Sequence, residues 1–284
     1  MTGAVFTAPA ERIDHDRMVR AHTSAARELN VAASGSSVWG WQGRTLGRRA
    51  DRYWLRLLCS PLEKAGGHLW EGTATAQAAL PPSVPRPALH HVLDWTSGEH
   101  AYRAELTEYV HTKPLEAGSP VLSRDVHLPD AWWGDLRKAL ADTSTTPTSR
   151  VAVRQGWVDK SFARFLGIPP VQITATQTGH GDLHWANITG PPLVLLDWEG
   201  WGRMPVGFDV GLLHAYSLTC PATARRIRKE FHQMLNSPEG RVGELVAVGQ
   251  ILQVVHRGGH PELAAPLKLH AERLTGAPVP EAEG

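Results

Sequence analysis

The stretch from Gly179 to Gly202, GHGDLHWANITGPPLVLLDWEGWG, constrains this chain more than any other. Two acidic centres flank a short apolar run. The first is His180-Gly181-Asp182-Leu183-His184-Trp185-Ala186-Asn187, and the second is Asp197-Trp198-Glu199. Pro191-Pro192 marks a turn, and Leu193 to Leu196 is apolar enough for a buried strand. Such a strand brings Asp197 back beside Asn187, so that Asp182, Asn187 and Asp197 are expected in one place. In phosphoryl transfer an Asp accepts or orients the attacking hydroxyl, and an Asn five positions later reaches a metal ion. A further Asp at the end of the next strand holds Mg²⁺ against nucleotide phosphates. The order and spacing of the three residues fit that chemistry.

The same residues admit a rival. His180-x-Asp182-x-His184 also reads as a fragment of a metal hydrolase, with two imidazoles and a carboxylate around zinc. No third ligand cluster at a recognisable spacing accompanies it, and it leaves Asn187 and Asp197 unused, so phosphoryl transfer is preferred. Glu199 stays open between binding metal through water and facing solvent.

The stretch resembles the aminoglycoside phosphotransferase and choline kinase family, the small-molecule branch of the protein-kinase-like fold. That family's catalytic loop reads H-G-D-x-H-x-x-N, matched here at His180, Gly181, Asp182, His184 and Asn187. Its metal-binding Asp follows a hydrophobic strand, as Asp197 does. The resemblance implies an α+β, bilobal protein-kinase-like fold with a small antiparallel β-sheet N-lobe and a mostly helical C-lobe. It implies Asp182 as the catalytic residue, Asn187 and Asp197 as metal ligands, and His180 as support for the loop. His184 stands where a protein kinase carries Lys, so a phosphate-side role and a scaffold role both remain open.

Composition narrows the alternatives. At 284 residues the chain can bury a sizeable core in one or two domains. Lys plus Arg is 29 against 28 Asp plus Glu, which argues against a nucleic-acid binder. The two cysteines, Cys59 and Cys220, have no paired spacing, so a disulfide scaffold or zinc ribbon is not expected. No apolar run approaches the roughly 20 residues that span a bilayer. The N-terminus turns polar too early for a signal peptide, so a cytoplasmic protein without membrane contact is expected. Eleven tryptophans should lie mostly in core or pocket walls, each with one partner for its N–H.

Taken in order, residues 11–30 read as a polar helix with Met18, Val19, Ala25, Ala26 and Leu29 on its apolar face. Small residues at 32–37 suggest a strand, a tight turn and a strand. Ser34, Gly35, Ser36 and Ser37 can offer hydroxyls and backbone N–H groups to phosphate, as the family's nucleotide-covering loop does. Residues 52–59 form the next strand, with Tyr53, Leu55 and Leu57 on one face. Here the sequence departs from the family, because Arg56 occupies the place of the phosphate-binding Lys. Arginine keeps the charge but is longer and planar, so the swap is not conservative at a tight site. Arg56 as a surface residue is the alternative.

A helix is expected over 68–80, where Glu71 can pair with Arg56 or face solvent. Strands at 88–95 and 101–110 are joined by the Thr96–Glu99 turn. The resemblance makes the end of the second strand a hinge lining a purine pocket, with Glu108, Val110 and His111 as nucleotide contacts. Helices follow over 129–141, with Trp132, Trp133, Leu136 and Leu140 as its core face, and over 150–166. Further helices are expected from Asp209 and over 221–236, 241–256 and 261–274. Asp209 can cap the helix it opens, the resemblance implies that it fastens the catalytic loop, and it is read as structural support in preference to a metal ligand. His256 with His260 is read as a helix end in preference to a metal pair.

The expected organisation is a nucleotide-binding lobe with a leading helix over 1–112 and a helical lobe over 113–284 holding the catalytic loop and acceptor pocket. The expected activity is transfer of the γ-phosphoryl group of ATP or GTP, with Mg²⁺, to a hydroxyl of a small molecule, an antibiotic or a metabolite. Residues 113–284 hold 17 Lys plus Arg and 17 Asp plus Glu, so net charge does not mark the pocket for a polycation. The alternatives are a peptide Ser/Thr kinase and a pseudokinase or nucleotide-binding interaction module without turnover. Arg56 favours the pseudokinase, and the intact Asp182, Asn187 and Asp197 oppose it.

Overall fold

In a computed structural model, residues 6–281 are described, and they form two units. One runs to Ala78 and takes in Arg86–Lys113; the other holds Ala79–Pro85 and the chain from Pro114.

The first unit is built on a five-stranded antiparallel sheet of β1 (Ala33–Trp39), β2 (Thr45–Ala50), β3 (Tyr53–Pro61), β4 (Leu89–Ser97) and β5 (His100–Glu108), in the order β1-β2-β3-β5-β4. Alternation along β3 sends Leu55 and Leu57 to one face, where both are fully buried. Helix α1 (Arg12–Glu28) covers that face with Met18, Ala25 and Ala26. His22 lies on the same helix face, and its Nε2 meets the Leu55 carbonyl at 3.1 Å. Arg103 on β5 grips both oxygens of Asp94 on β4, at 2.8 and 2.7 Å, and also reaches the Trp70 carbonyl. That fork anchors the segment leading into α2 (Gly72–Ala79), which starts later than the expected residue 68.

One sequence expectation fails here. The small residues at 32–37 do not make the hairpin turn. β1 runs through them, with a register shift between Ser34 and Val38. The chain reverses instead at Gly40–Thr45, where Gly40 N donates to the Thr45 carbonyl at 3.0 Å and Gln42 and Gly43 take left-handed φ of 50° and 71°. Gly35 takes its φ of +72° inside the strand, which can bulge without reversing, while Gln42 and Gly43 take the turn.

The second unit is mostly helical. It contains α3 (Asp130–Ser144), α4 (Gln155–Leu166), a two-stranded ladder of β6 (Thr176–Gly179) and β7 (Gly202–Pro205), α5 (Phe208–Ala215), α6 (Pro221–Glu230), α7 (His232–Asn236), α8 (Pro238–His256) and α9 (Ala264–Thr275). Helix α4 was expected from residue 150, but residues 150–153 stay extended. Ala152 N donates to the Arg203 carbonyl at 2.9 Å, and Arg203 N returns to the Arg150 carbonyl at 2.8 Å. Pairing with β7 thus outcompetes local helix propensity. The single helix expected over 221–236 is divided at Phe231, whose φ of −117° is not helical. Helix α8 starts earlier than expected, at Pro238, because Ser237 caps it by accepting from Gly240 N at 3.0 Å.

Trp132, Trp133, Trp185, Trp198 and Trp201 are all buried in this unit. Three of them place the indole N–H on an acceptor: Trp132 on the Thr189 carbonyl, Trp185 on Ser217 Oγ and Trp198 on the Leu195 carbonyl, at 3.1, 2.8 and 3.0 Å. No described helix is long and apolar enough to cross a membrane.

Candidate active site

All of Gly179–Gly202 lies within the helical unit, between β6 and β7. The antiparallel ladder pairs Gly179 with Gly202, so both ends of the stretch start from one fixed point. Gly181 has φ of +88°, and a side chain there would run into the Gly200 carbonyl. The two arms therefore touch at a position only glycine can fill.

The arm before Asp182 is fastened from below. Asp209, near the start of α5 and 2 % exposed, accepts from His180 N at 2.7 Å and from Gly181 N at 2.9 Å. Burial pushes the Asp209 carboxyl above its ordinary pKa, against the pull of His180 and the two backbone donors. His180 is fully buried, with Nε2 at 2.7 Å from the Leu196 carbonyl and Nδ1 accepting from Asp182 N at 3.3 Å. Burial lowers its pKa, so the ring is held neutral as a brace between the two arms.

The Asp182 side chain is half-exposed, at 51 %. Its Oδ2 lies 3.3 Å from His184 Nε2 and 3.4 Å from Asn187 Nδ2. Desolvation works against ionisation, but His184, His180 and the Asn187 amide outweigh it and hold the carboxyl below the ordinary aspartate value. Asn187, in a 3-10 turn over Trp185–Asn187, also donates to the Asp182 carbonyl at 3.0 Å. Its amide nitrogen is thus turned toward Asp182 and His184, which directs the carbonyl oxygen the other way.

The second arm returns as expected, though it forms an isolated bridge between Ile188 and Leu195 in place of a regular strand. Leu196 N donates to the Asn187 carbonyl at 2.8 Å, so Asp197 follows directly on the residue clamped to Asn187. Asp197 has φ of 60° and ψ of 67°, a left-handed conformation that non-glycine residues adopt rarely. Such a conformation persists where the surroundings over-determine it, and it is concentrated at ligand sites. Glu199 lies in the following 3-10 turn, and Arg150 Nη2 donates to its backbone carbonyl at 3.1 Å.

The zinc rival finds no support in this geometry. The His180 Nε2 is engaged with a carbonyl, and among the described residues the grouping of His, Asp, Glu or Cys tight enough for a metal is His214, Glu244 and His270. His256 and His260 do not pair either: His256 Nδ1 binds the Leu252 carbonyl at 2.8 Å, and His260 stands at a left-handed turn before α9.

The sequence left two neighbours unmarked. Tyr216, at the end of α5, meets His184 edge-on at 5.8 Å, and His260 meets Tyr216 at 5.9 Å. Burial, then the Asp182 charge, raises the Tyr216 pKa, so its phenol stays protonated. No short-range pattern ties either residue to Asp182, because the helix packing alone brings them together.

The candidate nucleotide residues lie in the first unit, apart from His184. Ser34, Gly35, Ser36 and Ser37 are exposed on β1, and Arg48 Nη2 donates to the Gly35 carbonyl at 3.0 Å. Arg56 is on β3, with Nη1 at 3.8 Å from Glu105 Oε2 on β5. Glu71 precedes α2 and is exposed, and its charge supports Arg103. Glu108 ends β5 opposite Tyr53; Val110 and His111 follow it, and the His111 ring meets Tyr109 at 5.0 Å.

No protein-family model and no curated protein matches the chain. Solved structures do. The chain is similar to a thermostable mutant of aminoglycoside phosphotransferase APH(4)-Ia in a ternary complex with AMP-PNP and hygromycin B, with a TM-score of 0.54 and 12% identity over 89% of this chain and 97% of that one. It is also similar to amicoumacin kinase hAmiN in complex with AMP-PNP, Ca²⁺ and Ami (TM-score 0.53, 11% identity, 91% and 95% covered). A third likeness is to the microcompartment-associated aminopropanol kinase (TM-score 0.51, 13% identity, 89% and 94% covered). The fold is therefore the kinase-like fold of these proteins, with a five-stranded antiparallel sheet and a helical C-terminal part.

Proposed function

We propose that this chain transfers the γ-phosphoryl group of ATP or GTP to a hydroxyl group of a small molecule. One observation carries the reading: a half-exposed, ionised Asp182 is clamped by Asn187, whose own carbonyl holds the residue before Asp197. The fold likeness to proteins whose structures contain AMP-PNP and an antibiotic supports it.

Asp182 orients the acceptor hydroxyl toward the phosphoryl group and takes up its proton as the transfer proceeds. A carboxylate with a lowered pKa is a weak base, so orientation is its larger contribution. A loose transition state asks for little proton abstraction in advance, and positioning suffices. His184 holds Asp182 from the buried side, and Asn187 fixes the loop between them. Asn187 Oδ1 and the Asp197 carboxylate would hold Mg²⁺, since hard oxygen donors suit that ion. When bound, Mg²⁺ neutralises charge on the transferring group. Arg56 is assigned to the nucleotide phosphates in place of the family's Lys. The acceptor class reaches from antibiotics to amino alcohols among the proteins of like fold.

The test is Mg²⁺-dependent ATP and GTP binding and turnover over a panel of hydroxylated acceptors. The expected result is transfer by the wild type, with Asp182→Ala keeping nucleotide binding but losing about 10²–10⁴-fold in kcat. Asp197→Ala should lose the Mg²⁺-dependent part of nucleotide binding. Absence of nucleotide binding by the wild type would overturn the reading, and binding without transfer to any acceptor would favour a nucleotide-binding module.

A further inference from the structure

A cavity of about 910 Å³ opens in the helical unit among α5, α6, α8 and α9. Asp182, Asn187 and Asp197 do not line it. Its charged wall consists of Arg225 and Arg228 from α6, Arg241 from α8 and Arg273 from α9, with His214 and His270 beside them. Among the described residues, no Asp or Glu lines it.

The acid behind the wall is Glu244, fully buried on α8, and its charge is already met. Arg228 Nη1 donates to both of its oxygens at 2.9 and 2.8 Å, His270 Nε2 lies at 2.9 Å, and His214 Nδ1 at 3.4 Å. Arg241 is held at the rim by the Leu274 carbonyl at 3.3 Å. Among the described residues, the Arg273 side chain has no hydrogen-bond or ion-pair partner. Arg228 answers Glu244 and Arg225 lies in the field of Asp125, so the four guanidiniums still exceed the carboxylates about them before any histidine takes a proton.

Two ligand classes compete for this place. His214, Glu244 and His270 offer ligand atoms within 4.8 Å of one another. A tetrahedral metal at about 2.0–2.1 Å needs its ligands about 3.3 Å apart, which the observed 3.4 and 2.9 Å approach. Electrostatics decide against it. A divalent ion would find Glu244 already neutralised and would add two charges to a wall of the same sign. An anion is drawn in by that same excess. Guanidinium forks match the oxygens of phosphate and carboxylate groups, two at a time. The volume suits an organic molecule, and Leu218 and Leu235 supply apolar wall.

We propose that this cavity is a second ligand site, which binds an organic molecule bearing two or more phosphate or carboxylate groups. Arg225, Arg241 and Arg273 hold its charged groups from the rim, and Arg228 stays paired with Glu244 at the floor.

The test is calorimetric titration of the full chain with citrate and, separately, with inorganic tripolyphosphate, at constant ionic strength and without nucleotide or Mg²⁺. The expected result is saturable binding of at least one probe. Arg225→Gln and Arg273→Gln should each weaken it roughly tenfold, the loss of one charge-assisted contact. Both arginines are exposed, so the variants keep the fold, and circular dichroism checks this. Asp197→Ala should bind the probe as the wild type does. No saturable binding of either probe, or binding unchanged in both arginine variants, would overturn the proposal. An altered affinity in Asp197→Ala would place the anion at the catalytic loop and overturn it too. In a parallel arm, Co²⁺ with a visible absorption band that His270→Gln abolishes would establish the metal site in its place.

Discussion

Gly181 and Asp209 hold the catalytic loop through different means, and each makes a prediction at its own position. Gly181→Ala sets a side chain at φ of +88° against the Gly200 carbonyl. The left-handed conformation costs about 1–2 kcal/mol, and displacement of the second arm adds to it. Urea unfolding should show a loss of at least that size. Asp209→Ala leaves the N–H groups of His180 and Gly181 without their acceptor in a buried place. A loss of about 2–6 kcal/mol is expected, at about 1–3 kcal/mol for each of the two orphaned groups. Turnover should fall with it even though Asp209 does not touch the Asp182 carboxylate. A variant as stable as the wild type would show that solvent reaches those groups. At this scale the sequence was most legible. Asp182, Asn187 and Asp197 are marked by type and spacing, because phosphoryl chemistry demands those atoms in that order. Tyr216 and His260 carry no such mark.

Among the elements, α1 and β3 emerged as expected, though the periodicity of α1 is modest, and those with competing partners did not. α1 and β3 share one buried face, and Leu55 lies at its centre with no exposure. Leu55→Ala should cost about 2–5 kcal/mol, seen as a lower denaturation midpoint, since the cavity closes only in part. Residues 150–153 read as helix from their neighbours but pair with β7, and the small residues of β1 read as a turn but form a bulged edge strand. In the first case a partner distant in sequence supplied the hydrogen bonds; in the second the reversal fell a few residues later, at Gly40–Thr45, and β1 pairs with the next strand. Helix starts shifted too: α8 begins at Pro238 and not at 241, although Ser237 before Pro238 is a cap written in the chain.

For the whole molecule, the buried histidines predict a marked acid sensitivity. His22, His180, His214 and His260 are all held below the ordinary histidine value of 6.5, burial being the first cause in each. The unfolded chain therefore binds more protons than the folded one as pH falls through that value, and stability declines with it. Asp209 acts with the opposite sign: its raised pKa favours the folded state at low pH and loses that contribution as pH rises above 3.8. Four histidines against one carboxyl give a net loss, so the thermal midpoint should drop between about pH 7 and pH 5. A flat profile over that range would contradict the burial of these rings. The sequence by itself carried the motif whose resemblance implied the kinase-like fold, and it marked Asp182, Asn187 and Asp197 as candidates by type and spacing, since motif spacing is a local property. Only the tertiary structure decided which strand carries the bulge, that His180 braces the loop neutral, and that four arginines from three helices wall one cavity. Those depend on contacts between residues far apart in the chain, whose free energies no stretch of sequence contains alone.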